Sequence, residues 1–228
     1  MANSSNNNLD FDICCQKDMF GWHMCSIYRD KDEQLSTITQ FFVNGLKRNE
    51  SCSYILDQCV PEDICHRLQE SDLNPAKYMQ SGQLLFLTKN ETYLKEGFFS
   101  PISMFDFLES YHYDALKSNY MGIRGVGEMS WAINSSQNLI NLLLDYESRL
   151  NSVLRVRRMA AICQYNENRF NPETLLNVLY THPKVIIYGK LYNNTFYKPP
   201  ERFEKEKNSR YLSGTYQQVR DNIIYGAA

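Results

Sequence analysis

The turn that follows the first predicted strand lacks glycine. Residues 29–33 of this turn read RDKDE, whereas a nucleotide-binding turn needs glycines whose backbone amides hold the phosphates. The carboxylates of Asp32 and Glu33 also complement the positive end of the helix that follows, so a phosphate would meet like charge there. We therefore predict that ATP does not bind at this turn.

The sequence also lacks an excess of positive charge and a long apolar run. It has 24 Lys and Arg against 26 Asp and Glu, so it offers no basic surface for nucleic acid. No apolar run approaches the roughly 20 residues that cross a bilayer, and the polar opening MANSSNNN has no signal-peptide core. We expect a cytoplasmic protein that binds neither nucleic acid nor a membrane directly.

The seven cysteines have neither the number nor the spacing of a disulfide framework or a metal site. They occupy positions 14, 15, 25, 52, 59, 65 and 163. An odd number in a chain of this length indicates reduced thiols, and the absence of a C-x-x-C pair predicts no metal site. Cys25, Cys52 and Cys163 lie in apolar runs, where burial raises a thiol pKa and suppresses its reactivity.

The apolar residues fall into short runs that are separated by amphipathic segments. The pattern indicates strands near residues 23–28, 51–56, 84–87, 121–126, 159–163 and 185–187, with helices between them. This alternation predicts an α/β fold with a mainly parallel sheet and helices on both faces, in three α/β/α layers. We expect a flexible segment over residues 1–20, the main domain over 21–200 and a helical extension over 201–228.

The segment MGIRGVGEMSWAI, residues 121–133, is the most informative stretch. A strand-like run leads through two glycines to Glu128, Met129 and Trp131. Glycines at the carboxyl end of a strand allow a ligand to approach the backbone closely, and open α/β sheets keep their sites at that edge. Small-molecule pockets combine apolar walls with a few polar anchors. The segment therefore predicts a pocket at this edge of the sheet.

Eight side chains are candidate ligand contacts, and each has a structural alternative. Arg124 in a buried strand needs a partner, for which Glu128 or Glu147 is the candidate, and such a pair could equally be structural. Met129 and Trp131 could equally be core packing. The predicted anchors are Arg124 and Glu128, the walls are Tyr28, Met129 and Trp131, the rim holds Gln164 and Tyr165, and His23 is either a core histidine or a contact. We expect structural or supporting roles for Glu147, Arg169 and His182, the last at the opposite rim of the sheet.

Five separated segments resemble one known family. They read HMCSIYRDKDEQLSTITQFFVNGLKRNESCSYI, SGQLLFLTKNETYLKEGFFSP, GIRGVGEMSWAI, YESRLN, and AICQYNENRF with THPKVII. In this order they resemble the MEDS domain, a sensory domain of methanogens and methylotrophs, from about Gly21 to Pro200. The resemblance implies a RecA- or KaiC-like fold without the phosphate loop, and a domain that senses simple hydrocarbon derivatives.

The resemblance favours a non-catalytic sensory domain that binds a small organic ligand, a C1 or short-chain compound. It implies no cofactor and a separate signalling or transcription protein as partner, and it favours a ligand contact for His23. Two other classes stay open, a degenerate KaiC-like nucleotide-binding ATPase and a cysteine-based redox sensor. No pattern of an activated nucleophile is visible, so we do not expect an enzyme. An apolar stripe of Tyr216, Val219 and Ile223 could form a homodimer contact or pack back on the same chain.

Overall fold

A seven-stranded sheet forms the centre of the protein. The structure is a computed structural model and describes residues 18–206 and 214–226. The strands are β1 (His23–Tyr28), β2 (Ser51–Leu56), β3 (Leu84–Thr88), β4 (Ile123–Glu128), β5 (Met159–Asn166), β6 (Lys184–Ile187) and β7 (Lys190–Asn193). Their order is β3-β2-β4-β5-β1-β6-β7, and all neighbours are parallel except β6 and β7. The predicted mainly parallel sheet is confirmed.

Helices connect the strands and cover both faces of the sheet. They are α1 (Lys31–Lys47), α2 (Pro61–Glu70), α3 (Pro75–Gln80), α4 (Pro101–Lys117), α5 (Gln137–Arg155), α6 (Pro172–Thr181), α7 (Pro200–Glu206) and α8 (Tyr216–Tyr225). Side chains of Asp30, Asn74, Ser100, Ser136, Asn171 and Thr215 cap six of them by accepting a backbone N–H, as expected of these residue types. Within the described ranges, no helix is long and apolar enough to cross a membrane.

The sheet separates two hydrophobic cores. One core lies against α1 and α2, and the other lies against α4, α5, α6 and α8. We call these sides the α1 face and the α5 face. Because successive side chains of a strand point to opposite sides, Val126 belongs to the α1 face and Ile123 to the α5 face. This alternation decides where each predicted site residue lies.

Three details of the fold differ from the expectations. β4 begins and ends two residues later than predicted, so Gly127 and Glu128 lie inside the strand and not after it. The antiparallel strand β7 was not predicted, because its hairpin turn places Tyr188 at φ 51°, a conformation that an aromatic residue rarely signals. The spacing of the apolar residues in α5 predicts that Leu142 points inward with Leu139 and Leu143, but Leu142 is exposed.

The last helix packs on its own chain. The stripe of Tyr216, Val219 and Ile223 is buried where α8 meets α6 and β7, which removes the basis for a dimer contact through this stripe. Glu167 anchors the helix, since its Oε1 accepts hydrogen bonds from the Tyr216 hydroxyl at 2.7 Å and from Arg220 Nη1 at 2.8 Å. Burial opposes the charge, but these bonds hold the pKa of Glu167 below its ordinary value.

Candidate functional site

Arg124 on the α1 face pairs with Glu50, not with Glu128 or Glu147. Its Nε donates to Glu50 Oε2, and its Nη1 donates to the carbonyl oxygen of Phe41 at 3.2 Å. Both charged side chains are almost fully buried. The predicted partners were therefore wrong, because Glu50, immediately before β2, reaches the guanidinium first. The pair accounts for the burial of both charges, and a ligand contact by Arg124 stays a prediction.

Glu128 holds the loop after β2. Its Oε2 accepts the backbone N–H of Gln58 at 2.6 Å and that of Cys59 at 3.2 Å, and the N–H of Asp57 points at the same oxygen. Its Oε1 accepts from Gln34 Nε2 at 2.7 Å. Hydrogen bonds from N–H groups to a carboxylate are charge-assisted and therefore strong. Glu128 thus closes the loop with bonds that already use both of its oxygens.

The remaining polar residues of this edge complete the same network. Tyr54 donates to Gln164 Oε1 at 2.9 Å, and Gln34 bonds the same oxygen at 3.3 Å. Burial, followed by the charge of Glu128, raises the pKa of Tyr28 well above its ordinary value. Gln164 therefore lies opposite Glu128 across β4 and β5, and Tyr28 lies within reach of the charge of Glu128. Arg169, for which a structural or supporting role was predicted, donates to the side chain of Gln58 at the surface.

Met129 and Trp131 lie on the other side of the sheet from Arg124 and Glu128. Met129 belongs to the core of the α5 face, and Trp131 packs against that core. The Trp131 ring stacks on Tyr93 at 5.2 Å between centroids and meets Phe99 at 5.0 Å. The structure therefore does not combine Arg124 and Glu128 with Met129 and Trp131 in one pocket. The indole packs against aromatic rings, and its buried Nε1 has no hydrogen-bond partner among the described residues.

A second group of polar residues is buried on the α5 face. His23, Glu147, Cys163 and His182 come from β1, α5, β5 and the end of α6, and we call them the His23 cluster. One ligand-type atom from each lies within 4.8 Å of all the others, and all four residues are buried. His23 begins β1 and therefore lies far along the strand from the edge at which Glu128 sits. His182 lies before β6 as expected, but its ring packs on His23 with centroids 4.0 Å apart.

The protonation of the His23 cluster follows from its burial and its neighbours. Burial lowers the pKa of His23 to about 4, so the imidazole is neutral at pH 7. Glu147 is buried beside both imidazoles, with its Oε2 3.1 Å from His23 Nε2 and 3.5 Å from His182 Nε2. The Tyr165 hydroxyl donates to Glu147 Oε1 at 2.5 Å. Burial raises the pKa of the Cys163 thiol, which agrees with the expectation of an unreactive thiol.

An apolar cavity of about 40 Å³ lies between α4, α5 and the middle of the sheet. Its lining comes from β2, β4, β5, the two helices and the loop before α4, and includes Ser53, Ile55, Tyr93, Met104, Tyr111, Gly125, Gly127, Tyr146, Ala161 and Cys163. Gly125 and Ala161 lie on central strands, yet they keep intermediate exposure. The cavity is therefore reachable beneath α4.

The two glycines of β4 form the floor of this cavity in different ways. A Cβ placed on Gly125 would meet Ser53 Oγ at 3.8 Å, and nothing in the described ranges lies closer. A Cβ on Gly127 would lie 2.1 Å from the Tyr93 hydroxyl oxygen. Gly127 is therefore required for the approach of Tyr93, whereas Gly125 leaves space that a ligand could fill.

The cavity and the predicted site both involve β4, but different side chains form them. The eight predicted ligand contacts are absent from its lining, and their roles in ligand binding stay predictions. The two glycines were the usable signal in the sequence. Tyr93, Met104 and Tyr111 were missed because they lie in a loop and a helix whose position over the sheet no local pattern reveals.

Comparison with known proteins agrees with this fold. The sequence model of the MEDS family, described as the methanogen/methylotroph, DcmR sensory domain, matches residues 22–183. The chain belongs to the MEDS family. Its sequence is also 26% identical over 171 residues to the transcriptional repressor DcmR of Methylorubrum extorquens, a match that covers 73% of this chain and 60% of that protein. The chain thus spans about 60% of the length of this relative.

Solved structures share the fold at low identity. The flagellar accessory protein FlaH from Methanocaldococcus jannaschii is 14% identical, with a TM-score of 0.50, over 75% of this MEDS chain and 72% of FlaH. The KaiC-like protein PH0186 from Pyrococcus horikoshii is 13% identical, with a TM-score of 0.49, over 74% of this chain and 71% of that protein. The likeness to FlaH confirms the predicted fold class and says nothing about ligands.

Proposed function

We propose that this MEDS chain is a non-catalytic sensory domain that binds a small organic molecule in the cavity beneath α4. Membership of a family of sensory domains supports the sensory role. The observation that carries the ligand class is the cavity itself, which is apolar, has a few hydroxyl and thiol groups in its wall and lies between the sheet and α4.

The size of the cavity limits the ligand to very few heavy atoms. One water needs about 10–15 Å³ of such space, and an apolar cavity of about 150 Å³ holds benzene in another protein. A volume of about 40 Å³ therefore suits a molecule of about two to four heavy atoms. Methanol, methylamine, methanethiol and halomethanes are of this size, so the ligand is a C1 or similarly short compound.

Helix α4 is the element that could report on the ligand. It has 17 residues, of which only Met104 and Ala115 are buried, whereas α5 buries nine of 19. A weakly packed helix over a ligand site is easily biased between two positions. Ligand binding would shift α4, and a separate signalling or transcription protein would read the shift. The sequence relation to a transcriptional repressor supports a partner of this kind.

The test is a thermal-shift panel of methanol, methylamines, methylated thiols and halomethanes. The wild-type protein is expected to be stabilised by one chemical group of the panel in a saturable manner, since a ligand that binds only the folded state raises the Tm. Gly125→Ala fills the cavity without a clash and should abolish that response. A flat wild-type response, or a response that Gly125→Ala leaves unchanged, contradicts the proposal.

A pair of methionine variants adds a matched control. Met104 lines the cavity, whereas Met79 is exposed on α3. Met104→Ala enlarges the cavity and should move the preference toward larger members of the panel. Met79→Ala should leave the preference unchanged. An equal change in both variants would show that the response does not come from the cavity.

The fold of KaiC-like proteins keeps a nucleotide-binding ATPase as the second candidate. In the turn after β1, the Asp30 carboxylate already caps α1 by accepting the Glu33 N–H at 3.0 Å. The Glu33 carboxylate accepts the Arg29 N–H at 2.9 Å. An anion at this helix end would meet two acidic side chains, so the turn favours the sensory proposal.

The buried thiols favour the sensory proposal over a redox sensor. Cys25 and Cys163 are direct neighbours across β1 and β5, so a disulfide between them is the redox event to consider. Burial raises the pKa of both thiols, whereas redox-sensing cysteines are exposed and have low pKa values.

A further inference from the structure

The two imidazoles of the His23 cluster each have one ring nitrogen that must donate a proton outward. His182 Nδ1 lies 2.8 Å from the carbonyl oxygen of Val178, which can only accept. His23 Nδ1 lies 3.2 Å from Asn151 Oδ1. The Asn151 amide nitrogen donates to three backbone carbonyls, which fixes the orientation of this amide. A ring that carries a single proton therefore has it on Nδ1 and its lone pair on Nε2.

Both lone pairs point into the cluster. His23 Nε2 lies 3.1 Å from Glu147 Oε2, and His182 Nε2 lies 3.5 Å from the same oxygen. His182 Nε2 is fully buried and has no hydrogen-bond partner among the described residues. A carboxylate oxygen also carries lone pairs, so these contacts repel unless a positive charge lies between the atoms. The arrangement needs a proton or a metal cation.

Four of the six donor separations are close to the edges of a tetrahedral metal site, and all six are within 4.8 Å. Cys163 Sγ lies 3.5 Å from His23 Nε2 and 3.3 Å from Glu147 Oε2. Glu147 Oε2 in turn lies 3.1 Å from His23 Nε2 and 3.5 Å from His182 Nε2. Zinc bonds of ordinary length to nitrogen, oxygen and sulfur give edges of about 3.3–3.6 Å. A single cation at the centre would satisfy all four donors at once.

We propose that His23, Glu147, Cys163 and His182 bind a divalent transition metal of the zinc type. Two neutral imidazoles, one carboxylate and one thiolate form a donor set that zinc accepts, with two negative charges that balance the ion. Asn151 and the Val178 carbonyl hold the outer imidazole nitrogens, as the outer partners of metal-bound histidines do. The cation would also favour the thiolate of Cys163 despite its burial. The site joins β1, α5, β5 and the end of α6, so it would stabilise the fold, and it does not depend on the ligand proposal.

The test uses the full chain, purified without chelator, loaded with ZnCl₂ or CoCl₂ and desalted. One zinc per chain is expected by elemental analysis, with a Tm that falls when EDTA removes it. The cobalt form should show the absorption of tetrahedral cobalt with a thiolate-to-cobalt charge-transfer band. A wild-type chain without stoichiometric zinc, or without this band, would overturn the proposal and assign a shared proton to the cluster.

Two cysteine variants locate the metal. Cys163→Ser should lose the charge-transfer band, whereas Cys25→Ser, its buried neighbour across the strands, should keep it. A band that survives Cys163→Ser places the metal at other cysteines and overturns the proposal. If Cys163→Ser does not fold, His182→Gln serves in its place, with loss of the zinc expected and retention contradicting the assignment. Cys163 also lines the cavity, but the zinc content of the wild-type chain is measured without an organic ligand, so its outcome is separate from that of the ligand panel.

Discussion

Glu50→Gln tests the conclusion that Arg124 is held by a structural ion pair. The change keeps the shape of the side chain but removes the charge that balances the buried guanidinium. The side chains of Arg124 and Glu50 are only 1% and 3% exposed, so water cannot compensate. Removing one partner of such a pair costs about 3–5 kcal/mol, which corresponds to a fall in Tm of roughly 6–20 °C for a domain of this size.

The assay is urea unfolding followed by circular dichroism, with a surface pair as the matched control. Arg157 donates to Glu109, whose side chain is 68% exposed, and Glu109→Gln should cost less than about 1 kcal/mol. The double variant Glu50→Gln, Arg124→Met removes both charges and should recover most of the loss. If Glu50→Gln costs no more than Glu109→Gln, or if the double variant recovers nothing, the pair does not hold Arg124 as described.

Three further predictions follow from other parts of the molecule. Gly127→Ala should lower the free energy of unfolding, because its methyl group would overlap the Tyr93 hydroxyl. Gly125→Ala should leave the free energy of unfolding unchanged, and urea unfolding compares the two variants directly. Because the pKa of Glu167 is lower in the folded protein than in the unfolded chain, its stabilising effect should be complete above about pH 4.5 and be lost as the pH falls below that value; Glu167→Gln should flatten this part of a stability-against-pH curve. Isothermal titration should show no saturable binding of ATP, because the turn after β1 has no glycine and its helix end is already capped by a carboxylate, and saturable binding at that turn would contradict this reasoning.

The pattern of strands and helices could be predicted because it depends on short periodic runs of apolar residues. His23–Tyr28 and Ser51–Leu56 are short, mostly apolar runs that are buried along their whole length, so both strands could be predicted directly. The separation of Arg124 and Glu128 from the α5 face also follows from strand alternation, once the end of β4 is placed at residue 128. Because the predicted strand ended at residue 126, the prediction grouped Glu128 with Met129 and Trp131 in one pocket.

The His23 cluster could not be predicted from spacing. Its members are up to 159 positions apart, from His23 to His182, and they meet only because β1 inserts between β5 and β6 in the sheet. That strand order is a property of the whole fold and leaves no local signal. The partner of Arg124 was missed for the same reason, since Glu50 precedes a strand that pairs with β4 only in three dimensions.

The most direct test of the sensory proposal is NMR of protein labelled at the methionine methyl groups, titrated with the compound that gives the largest thermal shift. Met104 and Met159 line the cavity, and Met79 lies on the exposed surface of α3. The proposal predicts saturable shifts of the Met104 and Met159 resonances with Met79 unchanged, and Gly125→Ala should remove those shifts. Resonances of Met104 and Met159 that stay fixed while the compound stabilises the protein would contradict binding in the cavity beneath α4.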